Sequence, residues 1–145
     1  MPSLTEPYEP KHRPTLIQSY PVAAATKIFK GALVGVNASG YLVPMSHATA
    51  NLLFVGIAEE SVDNSTGANG DKRCNVAKSG SAVYADVAGA TQADVGKTVN
   101  AFSDNEVQIG TFGLTNVYVV GTLVALEPTS KGASGLRVRI DTKVN

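Results

Sequence analysis

The sequence has one cysteine, two histidines and no tryptophan. The single cysteine, Cys74, excludes an intrachain disulfide framework and any zinc site built from several cysteines. Lysine plus arginine and aspartate plus glutamate number 12 each, so the formal net charge is zero. A general nucleic-acid binder owes most of its affinity to cationic groups that displace counterions from phosphate. We therefore expect no direct binding of nucleic acid.

Long apolar runs are missing as well. No stretch reaches the roughly 20 apolar residues that a membrane helix needs. The first residues, MPSLTEP, lack the charged and apolar regions of a signal peptide. These observations predict no membrane contact and a protein made and used in a reducing, soluble compartment. The 145 residues correspond to one domain that can bury a core without disulfides.

Proline is concentrated at the N-terminus, where five of the seven prolines lie within the first 21 residues. Proline fixes its own φ, lacks an N–H and pushes the preceding residue toward extended backbone. Residues 1–21 are therefore predicted to form an extended arm, followed by a β-rich domain over residues 22–145. Two interpretations of the arm are open, a solvated tail and a segment ordered on a neighbouring subunit or larger partner. Its aromatic and aliphatic side chains favour the second, since solvated tails are poor in them.

The remainder of the chain has the composition of short strands. Runs rich in Val, Ile, Thr and Tyr are separated by glycines. The runs at 32–36 and 41–43 flank a turn-forming tetrapeptide and predict a hairpin. No segment carries ten residues of helical periodicity. The sequence predicts an all-β fold, a small barrel or sandwich of seven or eight short strands.

Alternation of apolar and polar residues predicts which side chains are buried. It places the apolar residues of 136–140 inward and the arginines between them outward. The same pattern over 106–109 predicts that Gln108 faces solvent. The apolar run 117–126 predicts a strand covered on both faces. The polar segment 63–71 is predicted to be a surface loop with nothing to pack.

Residues suited to catalysis are few. His12 lies in the arm and His47 in a polar loop, so neither is on an element that would hold a catalytic base rigidly. Cys74 falls in a predicted strand, where a cysteine is usually a small buried apolar residue. The Gly-Lys-Thr at 96–98 lacks the preceding glycine of a phosphate-binding loop and does not open a helix. The sequence therefore predicts no catalytic residue, no metal ligands, no cofactor and no enzymatic activity.

Seven short motifs follow one another through the body of the chain. They are ALVGV (32–36), YLVP (41–44), FVGIAEE (54–60), GSAVY (80–84), ADVGKTV (93–99), VVGTLVA (119–125) and LRVRI (136–140). Each is a weak strand or turn motif by itself. Their order and spacing over about residues 20–140 resemble the capsid cement, or head-decoration, proteins of tailed bacteriophages.

The resemblance implies a structural protein of the virion. It implies a small β domain that assembles as a homotrimer on the outer surface of an icosahedral head, after synthesis in the host cytoplasm. There it would bridge subunits of the major capsid protein and stabilise the expanded head.

The arm is expected to supply much of that contact, since aromatic and arginine anchors dominate interfaces. Fully extended, it spans up to about 70 Å, and it could add a strand to a sheet edge of a capsid subunit. The predicted partner-binding residues are Tyr8, Arg13, Leu16, Ile17 and Tyr20.

Two other functions remain open from the sequence. The first is a small β-sandwich module displayed on the virion to recognise a host surface or carbohydrate. Five tyrosines and the loop at 63–71 permit it, and the absence of tryptophan counts against it. The second is an enzyme, which would need a convergent polar pocket that the sequence does not indicate.

Overall fold

The computed structural model describes residues 16–141 and 143–145. Regular structure there is almost entirely β-strand, which confirms the all-β prediction. The strands of this part of the chain are β1 (Ile17–Pro21), β2 (Thr26–Ile28), β3 (Leu33–Val36), β4 (Leu42–Pro44), β5 (Leu53–Ala58), β6 (Val62–Asn64), β7 (Arg73–Ala77), β8 (Ser81–Asp86), β9 (Thr98–Ala101), β10 (Glu106–Ile109), β11 (Val119–Leu126) and β12 (Gly135–Arg139). A 3-10 turn, Gln92–Asp94, precedes β9.

The strands form one open sheet, one closed barrel and one small ribbon. The open sheet has the order β1-β7-β5-β3-β4, the barrel has the order β10-β8-β12-β11-β9, and β2 pairs with β6. Closure of the barrel depends on a parallel pairing of β8 with β10, whereas its other pairings are antiparallel. The described residues form more strands than the seven or eight predicted, because β2 and β6 are too short to leave a periodic pattern and β1 lies in the segment predicted to be an extended arm.

Two apolar clusters hold these layers together. The larger lies between the open sheet and the barrel and joins Leu33 and Phe54 to barrel residues such as Leu136. The smaller lies on the other face of the sheet, where Val34 packs with Ile28 of the β2–β6 ribbon. Because Leu33 and Val34 are successive residues of β3, their side chains point to opposite faces. The centre of the open sheet is therefore buried on both faces.

The alternation predicted for the last strand is confirmed. Leu136, Val138 and Ile140 are buried, whereas Arg137 and Arg139 are exposed. The predicted hairpin is confirmed too, since β3 pairs with β4 in antiparallel register. In both regions the pattern is local, so strand position and burial follow directly from neighbouring residues.

Two polar side chains that were predicted to face solvent are buried. Gln108 donates hydrogen bonds to the backbone carbonyls of Gly110 (3.2 Å) and Phe112 (3.0 Å). Asn64 is the last residue of β6, within the segment 63–71 predicted to be a surface loop, and its amide donates to the backbone carbonyls of Ala23 (2.9 Å) and Ala68 (3.0 Å). Each amide thus donates to backbone carbonyls that lie outside the strands and that no neighbouring strand satisfies. These predictions were wrong because irregular backbone, rather than strand alternation, determines where the two side chains lie.

The prediction that the apolar run 117–126 is covered on both faces is also wrong. Val124 and Leu126 are exposed. The run contains β11, a barrel strand, so one face lines the barrel interior while the other meets solvent. The pairing register with β12 shifts between Leu123 and Ala125, and this irregularity coincides with the exposed Val124.

Candidate interaction site

Three of the five predicted partner-binding residues lie together on one edge of the open sheet. Leu16 and Ile17 are 67% and 56% exposed, and Tyr20 is half-buried. Tyr8 and Arg13 lie outside the described residues. The last five residues of the predicted arm form β1 and belong to the sheet of the body. Residues 17–21 are therefore part of the folded domain rather than of an arm outside it.

The pairing of β1 with β7 explains how a proline-rich segment joins a sheet. The Lys78 N–H donates to the Leu16 carbonyl at 2.8 Å, which places the even-numbered residues of β1 in the hydrogen-bonded pairs. Odd-numbered residues then turn their backbone groups away from β7. Pro21 is one of these, so its missing N–H costs no hydrogen bond in the ladder.

The outer edge of β1 is partly closed by side chains. The Ser19 carbonyl accepts hydrogen bonds from the Arg73 guanidinium (3.0 Å) and the Gln18 amide (3.2 Å). Arg73 also donates to the Ser19 hydroxyl at 2.9 Å. A foreign strand pairing along this edge would have to displace those contacts. A partner at this edge would therefore contact the side chains of Leu16 and Ile17 more readily than it would form a continuous backbone ladder with β1.

A groove of about 560 Å³ runs beside β1. Leu16, Tyr20, Lys78, Val144 and Asn145 are among the residues that line it. The Lys78 ammonium donates to the Tyr20 hydroxyl (2.6 Å) and to an Asn145 oxygen (2.7 Å), and it lies 5.0 Å from the Tyr20 ring centroid. The groove thus combines apolar walls with one cation, Lys78, and one carboxylate, Asp141, an arrangement suited to a protein surface that presents both apolar and polar groups.

Sequence reasoning missed Lys78 and Val144. Lys78 directly follows β7, and nothing in its neighbourhood distinguishes it from any solvated lysine. Its role depends on the register that brings it to Tyr20, a residue 58 positions away. Only a pairing of β1 with β7 inferred in advance would have identified it.

Two residues of types that often serve in catalysis, His47 and Cys74, lie within the described residues and make contacts inside the fold. His47 accepts the Thr115 N–H at Nδ1 (3.1 Å), and its ring centroid lies 4.6 Å from that of Phe102. His12 lies outside the described residues. Cys74 is buried, as predicted, and this burial raises the pKa of its thiol. Within residues 16–141 and 143–145, no three His, Cys, Asp or Glu side chains are close enough to hold a metal ion.

Comparison with protein-family models, with curated proteins and with solved structures finds no match to this chain. None of the helical structure in the described residues is long and apolar enough to cross a membrane.

Proposed function

We propose that this chain is a structural cement protein that binds the outer surface of an icosahedral phage head and bridges subunits of the major capsid protein. The observation that carries the proposal is the pair Leu16 and Ile17. Both are large apolar side chains, more than half exposed; Ile17 begins β1, which β7 holds in place, and Leu16 directly precedes it. They directly follow the proline-rich residues 1–15 in the sequence, so one partner surface could contact both that segment and β1.

The charge of the chain supports a protein partner. Cationic and anionic residues are equal in number, and charged residues make up 17% of the sequence. The core of a protein–protein interface is poor in charge, whereas binding to a polyanion requires an excess of cations. The proposal accordingly gives the chain no nucleic-acid, membrane, metal, cofactor or catalytic role.

Assembly as a homotrimer belongs to the same proposal and comes from the resemblance. Many identical copies on one shell let modest contacts act together through avidity. A contact that would be weak for one copy can therefore stabilise a whole head.

The environment of the tyrosines counts against the carbohydrate-recognition alternative, in which tyrosine rings would form the platform for a sugar. Tyr20 is half-buried, with its hydroxyl bound by the Lys78 ammonium, and Tyr84 is buried. The Tyr118 hydroxyl donates a hydrogen bond to the Thr49 carbonyl (2.6 Å). A sugar ring stacks on an open aromatic face, which none of these three side chains offers in a fully accessible form.

The direct test is co-sedimentation of the purified full-length chain with undecorated heads of its source phage. The matching variant lacks residues 1–15, a deletion that leaves all of β1 in place because β1 begins at Ile17. We expect the full-length chain to saturate at a fixed number of copies per head and to raise the temperature at which heads rupture. The deletion should weaken attachment while the body stays folded.

Two results would contradict this function. One is the absence of saturable binding by the folded full-length chain. The other is equal resistance to heat and pressure of heads with and without the protein. If the variant without residues 1–15 binds heads as strongly as the full-length chain, the cement function stands and the contact lies on the body alone.

A further inference from the structure

The outward face of β12 carries two arginines, Arg137 and Arg139, which are the only cationic residues within the five barrel strands. They are alternate residues of one strand, so their exposed side chains leave the same face at Cα positions roughly 7 Å apart. The register with β8 places Ser81 opposite Arg139. The positive charge of the barrel strands is therefore concentrated at one place.

Each of the two guanidiniums is held through its Nε group. Arg137 Nε donates to the Ser81 hydroxyl at 3.0 Å, and Arg139 Nε lies 3.5 Å from Asp141 Oδ2. The other oxygen of Asp141 accepts the Gly80 N–H, which fixes the carboxylate in turn. Among residues 16–141 and 143–145, neither guanidinium makes a hydrogen bond through its terminal amino groups. Those amino groups are donors with which an arginine holds a carboxylate.

A hollow of about 350 Å³ opens beside the two arginines, and we call it the arginine hollow. It is lined by Gly80, Ser81, Val124, Arg137, Arg139 and Asp141. Val124 is 40% exposed where the pairing of β11 with β12 is irregular, and it supplies an apolar wall. An acidic side chain has both parts that such a site accommodates, methylene groups for Val124 and a carboxylate for the guanidiniums.

The arginine hollow adjoins the groove beside β1. Asp141 lines both of them, and Ser79 of the groove is followed in sequence by Gly80 of the hollow. Leu16, the exposed residue before β1, lines the same groove. A partner seated on β1 therefore lies next to the two arginines.

The charge of the hollow favours a carboxylate on a protein over a polyanion. Two cations and one carboxylate line it, so its formal charge is positive by a single unit. Nucleic acid and anionic membranes bind through many cations along the contact, and the barrel strands have no others. One acidic side chain balances the excess. Arginine is also enriched in protein–protein interfaces.

We propose that the arginine hollow binds the carboxylate of an aspartate or glutamate on the outer surface of the major capsid protein. This inference rests on the proposed function, to which it adds the chemistry of a second contact beside β1. Arg137 and Arg139 hold the carboxylate with their terminal amino groups, while Ser81 and Asp141 keep the two guanidiniums in position.

The test is a binding isotherm of Arg137→Gln/Arg139→Gln on undecorated heads, beside the wild-type chain. Loss of hydrogen bonds to a charged group should weaken binding by about 10-fold or more at about 0.1 M salt. The difference should shrink at about 1 M salt, where the Debye length falls from about 10 Å to about 3 Å. Lys30→Gln/Lys131→Gln is the matched control, since it removes two positive charges from exposed residues that do not line the hollow.

The outcomes separate this inference from the function on which it rests. Wild-type affinity of the folded double arginine variant at about 0.1 M salt overturns the inference and leaves the cement function in place. Equal weakening by the lysine control also overturns it, because the effect would then come from net charge. Absence of saturable binding by the wild-type chain overturns both. Circular dichroism verifies that each variant keeps its strands.

Crosslinking with Arg137→Lys identifies the partner group without depending on a loss of binding. A carbodiimide joins a lysine amine to a carboxylate in contact with it, whereas a guanidinium forms no such link. On decorated heads we expect an amide between position 137 and an aspartate or glutamate of the capsid protein, mapped by mass spectrometry and absent with the wild-type chain. Crosslinks from position 137 that stay within this chain while it is bound to heads overturn the assignment of a capsid carboxylate.

Discussion

Replacing Leu16 and Ile17 together by serine tests the candidate contact by its energetics. Complete burial of a leucine or isoleucine side chain is worth about 1.5–3 kcal/mol. Leu16 and Ile17 are 67% and 56% exposed, so about 1–2 kcal/mol of that burial remains available to a partner at each residue. Leu16 lines the groove and Ile17 does not, so the two side chains point to opposite sides of the sheet edge. A partner that covers both sides gains about 2–4 kcal/mol from the pair, and their replacement lowers the affinity of one copy for the head by about 30-fold to 1,000-fold.

The assay is a binding isotherm of the double variant on undecorated heads. Leu53→Ser is the matched control, because Leu53 is 57% exposed on another strand of the same sheet. It has a similar fraction of buried surface to lose, so its effect on folding should be similar, while head affinity should not change. Wild-type affinity of a folded Leu16→Ser/Ile17→Ser variant would refute the assignment of the contact to β1.

Two further predictions concern stability and are measured by urea unfolding. Leu136→Ala should cost about 2–5 kcal/mol, because its side chain is fully buried between sheet and barrel. Leu126→Ala, at the exposed register partner of Leu136, should cost less than half as much; equal costs would contradict the assignment of the core. Asp104→Asn should stabilise the protein at neutral pH, because burial, with a further contribution from Glu106, raises the pKa of the Asp104 carboxyl. A raised pKa in the folded state means that ionisation costs stability as pH rises through it. The gain should therefore vanish below pH 3.8, the ordinary value, and no gain at neutral pH would contradict the burial argument.

Local pattern and tertiary context can be separated residue by residue. The alternation around Leu136 predicts burial correctly, since a strand places successive side chains on opposite faces whatever its neighbours are. Gln108 obeys the same alternation in sequence, yet it is buried, because the carbonyls of Gly110 and Phe112 converge on its amide. Alternation cannot predict that burial, since it depends on the path of the following loop.

The candidate site divides in the same way. Leu16, Ile17 and Tyr20 stand out in the sequence as apolar residues in a proline-rich segment. The groove beside them requires Lys78, whose ammonium reaches the Tyr20 hydroxyl only because β1 pairs with β7.

The sequence by itself determined the all-β class, the β3–β4 hairpin and the inward face of β12. Turn residues and two-residue periodicity are properties of neighbours along the chain, and they act before any distant contact forms. Only the tertiary structure decided that β8 and β10 pair in parallel to close the barrel and that β1 lies on β7. Such pairings join distant segments, and their partners are chosen by the global packing of two apolar clusters rather than by local preference.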